Sequence, residues 1–438
     1  MKPNIIFISI DSLRSDKLFG SSYTPNINKL ISNGVNFSNT ISTSDSTGLS
    51  LGSIFTGAYP FKTNISLTSF NHDFPTYFDL LKNNGYFLTS TCPDLSFFKK
   101  LTINFDLNNL YIYDKRNEWI QLHGGIGNEI ITTLKLLKSK SPWFYFIHLM
   151  DLHQPFYLPD EFNQNKFGLT RYDKMISYID EWIGKFIKNI DFKNTLLVFT
   201  SDHGDYIPLT DDENFSYTPN KFFKKMNKIV PKKLSTKILS TLQDKKKTDF
   251  ANSIKNDKKL SRSILNRGTD FLYDESLKIP LFFYGNNLKF HHSIPNLVRH
   301  VDIFSTILDI IGIKYYSDLV DGRSLLPLFN NEKISELPAY IENGSRKINK
   351  LGSLIGLRTS EYKFLCSRTN TSENQFLFDL NIDPNEEKNI AKENPSICKI
   401  MLQNILDLQQ NFSHTSKSNL NSDDEKSIEE ELKKLGYL

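Results

Sequence analysis

Cysteine is scarce in this chain, with three in 438 residues, at Cys92, Cys366 and Cys398. They are far apart, odd in number and without metal-ligand spacing, which argues against a disulfide framework or a cysteine metal site and for buried thiols in a reducing compartment. An excess of charge of one sign is also missing. The formal net charge of +4 is too small at this length for global electrostatics to indicate nucleic acid as a partner. No apolar run is long enough to cross a bilayer, and the N-terminal MKPNIIFISIDS meets charge too early for a secretory signal. The expectation is a soluble, cytoplasmic protein.

What is present is material for a core: 39% hydrophobic residues, in a chain long enough for one large domain or two ordinary ones. Residues 4–11 (NIIFISID) form a β-branched run ending on an aspartate, as expected of a buried parallel strand whose carboxyl end faces a site. Residues 143–151, 194–205 and 278–285 have the same bounded apolar character. Helical segments lie between them, at 24–34 and 74–85, each ending at a glycine, and at 171–190 with apolar residues every three or four positions. This alternation predicts an α/β fold with a central, mostly parallel sheet flanked by helices. Beyond about residue 335, short strands at 356–366 and 375–390 suggest a smaller antiparallel unit. Residues 206–266 break the alternation with a lysine-rich stretch, read first as a solvated helical insertion and second as a basic cover that attracts an anionic substrate or, around 221–247, a lipid surface.

In parallel sheets, ligands collect beyond the carboxyl ends of the strands. Asp11, His153 and the adjacent pair Asp202 and His203 sit at or just after such ends, so one pocket can gather them. Asp11, Asp202 and His203 offer three donors to a divalent cation. A hydroxyl could be the fourth, because coordination lowers its pKa enough to make an alkoxide nucleophile. Ser44, Ser46, Thr47 and Ser50 are the candidates in STSDSTGLSLGSIFTG (42–57), and periodicity does not choose among them. If that stretch opens a helix, its first amides would favour a bound phosphate or sulfate. His153 could donate to an ester oxygen or protonate a leaving group. His148, inside a strand, reads as a satisfied core residue; Asp302 reads as a helix cap, and His300 is left undecided.

In order along the chain, NIIFISIDSLRSD, SLGSIFTGAYP, HLMDLHQPF, VFTSDHGD, GTDFLYDESLKIPLFFYG, DGRSLLPL and LFDLNIDPNEEKNI resemble the landmarks of the sulfatase family of the alkaline phosphatase superfamily. The resemblance implies that family's fold, with a sulfatase-like catalytic domain over 1–335 carrying the basic insertion 206–266, a small α+β subdomain over 336–415, and a linker and terminal helix over 416–438. Aligned on Thr56 and Gly57, the nucleophile motif puts Thr47 at the nucleophile position. No cysteine is available there for conversion to formylglycine, and Leu49 and Leu51 stand where the family has proline and arginine. A threonine there is similar to the branch that transfers phosphoglycerol or phosphoethanolamine, or hydrolyses phosphate esters.

The resemblance further implies Asp11, Thr47, Asp202 and His203 around the metal, with His153 on the ester oxygens and Arg267 as a candidate substrate contact. Ser12 replaces an aspartate and His203 an asparagine common in calcium-binding members, which favours zinc or manganese over calcium or magnesium. The family's lysine-and-histidine segment has no counterpart in residues 88–100. The leading expectation is a metal-dependent hydrolase or transferase of phosphate esters through a covalent threonine intermediate. A strict sulfuric ester hydrolase and a catalytically inactive binding protein are the alternatives. The expected partner is an anionic ester, on a glycan or a lipid-derived head group, with no nucleic acid.

Overall fold

The structure, a computed structural model, describes residues 2–112, 121–207, 271–315, 320–344 and 353–410, apart from positions 68, 71, 155, 287 and 289–291. Arg267, nearly all of the insertion expected over 206–266 and the terminal segment expected over 416–438 lie outside the described residues.

The NIIFISI run forms strand β1 (Asn4–Ile10), buried along its whole length. Its apolar side chains on both faces suit only an interior strand, and β1 is inserted between β5 (Trp143–Leu149) and β6 (Thr195–Ser201), parallel to both. Outside β5 come β3 (Phe87–Pro93) and β4 (Leu107–Tyr111), and outside β6 come β7 (Lys278–Gly285), β2 (Val35–Ile41) and β8 (His292–Arg299). The order β4-β3-β5-β1-β6-β7-β2-β8 makes one mostly parallel sheet. Strand β7 runs antiparallel to both β6 and β2; an apolar run gives a strand's burial but not its direction.

The expected helices form at Pro25–Ser32 (α1), Tyr77–Asn83 and Arg171–Ile187. Thr170 opens the last of these with a capping box to Asp173, and Thr76 does the same with Asp79. Helix α2 (Thr47–Thr56) ends at Gly57, whose left-handed φ of 67° a side chain would oppose. Every residue of α2 after Thr47 is buried. Phe55 fixes the helix to the sheet, with its ring 5.5 Å from Phe7, 5.1 Å from Phe146 and 4.7 Å from Phe78.

A separate antiparallel sheet follows, of β9 (Ala339–Glu342), β10 (Leu354–Arg358), β11 (Tyr362–Ser367) and β12 (Phe376–Asp379). The helix Pro395–Gln410 packs on it through Cys398, Met401 and Ile405. Lys363 of β11 is completely buried, with its Nζ 2.5 Å from both Asp274 and Glu386 and 3.0 Å from the Leu272 carbonyl. Among the described residues, no helix is long and apolar enough to cross a membrane.

Candidate active site

The ladder that pairs Ile10 with Ser201 brings the next residues, Asp11 and Asp202, side by side beyond the ends of two central strands. Ser12 holds both. Its hydroxyl donates to Asp11 Oδ1 at 2.6 Å and its amide donates to Asp202 Oδ1 at 3.2 Å. This needs Ser12 in the left-handed region, φ 60°, a conformation costly for a non-glycine residue. The Tyr172 hydroxyl steadies it by donating to the Ser12 carbonyl at 2.7 Å. The His203 amide also donates to Asp202 Oδ1, at 2.8 Å. Each carboxylate thus has Oδ1 fixed by the protein and Oδ2 turned the other way; Asp202 Oδ2 is buried and makes no hydrogen bond.

Thr47, the first residue of α2, sends its hydroxyl to that side, 3.2 Å from Asp11 Oδ2 and 3.4 Å from His203 Nε2. The other candidate hydroxyls are engaged locally. Ser44 and Ser46 lie 3.1 Å apart through their oxygens, and Ser50 donates to the Ser44 carbonyl at 3.0 Å. Gly204 comes so close to Glu275 that a Cβ would sit 2.0 Å from its carbonyl oxygen, and the Gly204 carbonyl lies 2.7 Å from His203 Nδ1.

Burial opposes the charge on Asp11, but the imidazoles of His148, His203 and His153 outweigh it and hold its carboxyl well below the usual range. Burial likewise lowers the pKa of His203, yet Asp202 and Asp11 prevail and lift it to about 9.

His148 departs from expectation. It is buried in β5, but neither ring nitrogen has a hydrogen-bond partner, and Nε2 faces Asp11 Oδ2 at 3.9 Å. It is therefore not a satisfied core residue. Donor atoms of Asp11, His148 and Asp202 all lie within 4.8 Å of one another. The signal available in the sequence was a lone imidazole in WFYFIHL, a run whose other side chains are all apolar or aromatic.

His153 is half-buried on the turn after β5, near enough to bias Asp11 electrostatically, and its amide donates to the Met150 carbonyl at 2.9 Å. His300 is structural: the Thr43 amide donates to Nδ1 at 3.3 Å, Nε2 lies 3.2 Å from the Ser201 carbonyl, and burial pushes its pKa down to about 3. Asp302 opens the helix Asp302–Ile311, but its carboxylate is forked to the Arg299 guanidinium at 2.6 and 3.0 Å and accepts the amides of Arg299 and Arg323; it does not cap the helix from its N-terminal flank. Leu51 is fully buried in the core, so its position offers no cation to the site.

The donor set fits a divalent cation. Two carboxylate oxygens, an imidazole nitrogen and a hydroxyl converge, and Asp202 Oδ2 among them is buried without a hydrogen bond, with only His203 Nε2 facing it at 3.5 Å.

A family model described as Sulfatase matches residues 3–313, and one described as N-sulphoglucosamine sulphohydrolase, C-terminal, matches 268–411. Arylsulfatase K of Mus musculus is 36% identical over 140 residues, 31% of this chain, and the match spans only 25% of that protein's length. The phosphonate monoester hydrolase of Agrobacterium radiobacter superposes with a TM-score of 0.68 at 16% identity, covering 94% of this chain and 96% of that one. A protein solved with its substrate D-glucosamine-2-N,6-O-disulfate gives 0.61 at 16% identity, over 94% and 98%. These two structures share the fold. With the Sulfatase model matched from residue 3 to residue 313, well over half of its length, the chain belongs to the sulfatase family.

Proposed function

We propose that this protein is a metal-dependent hydrolase or transferase of anionic esters, with phosphorus esters as the leading class, and that Thr47 is its nucleophile. The observation that carries this reading is the Thr47 hydroxyl, which lies against Asp11 Oδ2 and His203 Nε2 while Ser44, Ser46 and Ser50 are engaged elsewhere. Asp11, Asp202, His203 and Thr47 would hold the cation, and the imidazole nitrogen among those oxygen donors favours zinc or manganese over calcium or magnesium. A cation bound there supplies a lowered hydroxyl pKa and positive charge beside the ester oxygens.

The Thr47 hydroxyl attacks the ester centre in line and the alcohol leaves, giving an ester of Thr47; water or an acceptor alcohol then attacks that ester and restores the hydroxyl. His153 donates to the ester oxygens, and Arg267 remains a candidate substrate contact. The first amides of α2, a helix of ten residues, add positive potential for an anion at Thr47. The ester belongs to a glycan or a lipid-derived head group.

A second reading, a sulfuric ester hydrolase, is favoured by the match to arylsulfatase K and by the N-sulphoglucosamine sulphohydrolase model. Thr47 weighs against it, because a plain alkyl sulfate lacks the elimination route that a geminal diol provides.

The deciding experiment is turnover of matched aryl phosphate monoester, phosphodiester and sulfate ester by metal-reconstituted protein and by Thr47→Ala. Phosphorus-ester turnover lost in Thr47→Ala is the expected result. Sulfate turnover alone, or activity that survives the substitution, overturns the assignment.

A further inference from the structure

We propose that His148 is a fifth ligand of the same cation, entering from beneath the four residues that the family resemblance supplies. The inference rests on the reading of Asp11, Thr47, Asp202 and His203 as a cation site. In the β1–β5 ladder, Ser9 lies opposite His148, and Asp11 is two residues beyond Ser9, so the side chains of His148 and Asp11 leave the same face of the sheet.

The His148 ring is fully buried, packed 4.9 Å from Phe98 and 6.3 Å from Phe146 between ring centroids. Those walls accept its carbon edges and offer nothing to its nitrogens. Neither Nδ1 nor Nε2 has a partner, and the 3.9 Å from Nε2 to Asp11 Oδ2 is longer than a hydrogen bond. The hydroxyl of Ser9, across the ladder, is buried and unpartnered as well.

A buried polar ring without partners destabilises the fold, and a core that wanted only volume there would carry phenylalanine. A cation removes the anomaly. Donor atoms of His148, Asp11 and Asp202 within 4.8 Å of one another leave space for an ion with bonds of about 2.1 Å after small side-chain adjustments. With His203 the site then has two imidazoles, two carboxylates and one hydroxyl, which selects zinc, manganese or cobalt over calcium.

Two measurements test this. X-ray absorption on zinc-loaded wild-type protein should count two imidazoles, and one in His148→Phe. Cobalt titration of metal-free protein should show His148→Phe binding at least ~10-fold more weakly with altered visible bands, while its metal-free melting temperature equals or exceeds that of wild type. A single imidazole in the wild type, or unchanged cobalt affinity and spectrum in the variant, overturns the proposal and leaves the four-residue site standing. Wild-type protein that binds no zinc or cobalt overturns both. If His148→Phe does not fold, His148→Asn takes its place in the titration, and the wild-type imidazole count decides regardless.

Discussion

His203 is oriented by its own neighbour, for its Nδ1 lies 2.7 Å from the Gly204 carbonyl oxygen. Only a protonated Nδ1 makes a bond there, so in the neutral ring the lone pair is on Nε2, the nitrogen that faces Thr47. In the metal-free protein the pKa of about 9 keeps His203 charged at neutral pH, so a cation must displace a proton. Apparent zinc affinity should rise about tenfold per pH unit up to about 9 and flatten above it. Calorimetry in two buffers of different ionisation heat should find about one proton released at pH 7.

Ser12 fixes one oxygen of each carboxylate. Ser12→Ala removes the hydroxyl but leaves the amide bond to Asp202, so cation affinity should fall by ~10-fold or more, and metal-free stability should fall by about 1–3 kcal/mol because the buried Asp11 Oδ1 loses its donor. Binding isotherms of the two proteins side by side check this.

Neutral His300 joins the Thr43 amide to the Ser201 carbonyl, tying the segment before α2 to the end of β6. His300→Leu keeps the bulk but strands the Thr43 amide and leaves the Ser201 carbonyl only the Thr200 hydroxyl at 3.3 Å, at a cost of about 1–3 kcal/mol in urea unfolding.

Burial pushes the Asp151 carboxyl up to about 7, against a hydrogen bond from the Leu122 amide at 3.1 Å. Its folded-state pKa is raised above the unfolded value, so its contribution to stability is complete below the ordinary carboxylate pKa of about 4 and is lost as pH rises through about 7. Asp151→Asn should therefore flatten the fall in stability between pH 5 and pH 8, by on the order of a few kcal/mol, in denaturation midpoints compared at those two values.

Lys363 neutralises two carboxylates at once, those of the half-buried Asp274 and the buried Glu386. Lys363→Met should destabilise the chain by roughly 3–5 kcal/mol, because Glu386 remains buried without its cation. Lys363→Met combined with Glu386→Gln should recover part of that loss, since Asp274 keeps Arg358 at 3.0 Å.

The strands that matter were legible because a buried parallel strand is a short, bounded apolar run, and each of β1, β5 and β6 carries a polar residue just past its end. Asp11, Asp202 and His203 followed from that alone. The choice of Thr47 over Ser46 or Ser50 did not, since neighbouring hydroxyls at a helix start differ only in direction, which depends on how α2 docks against the sheet. The resemblance indicated Thr47 from its distance to Thr56 and Gly57. His148 was misread because a strand buried on both faces gives no pattern to tell the side toward the site from the side toward the core. The direction of β7 was hidden for a related reason, as hydrophobicity is the same read either way. Asp302 has a cap's sequence context, and only the fold brings Arg299 into its fork.

The placement of Asp11 and Asp202 on adjacent central strands has a consequence for biogenesis. The two carboxylates are separated by most of the first half of the chain, and β5, which carries His148, is threaded between them in sequence. A nascent chain therefore holds no two-carboxylate site until β6 has left the ribosome and closed on β1. An ion at the proposed site would load a sheet already assembled rather than nucleate it, so metal scarcity is expected to leave folded protein with that site empty rather than aggregates.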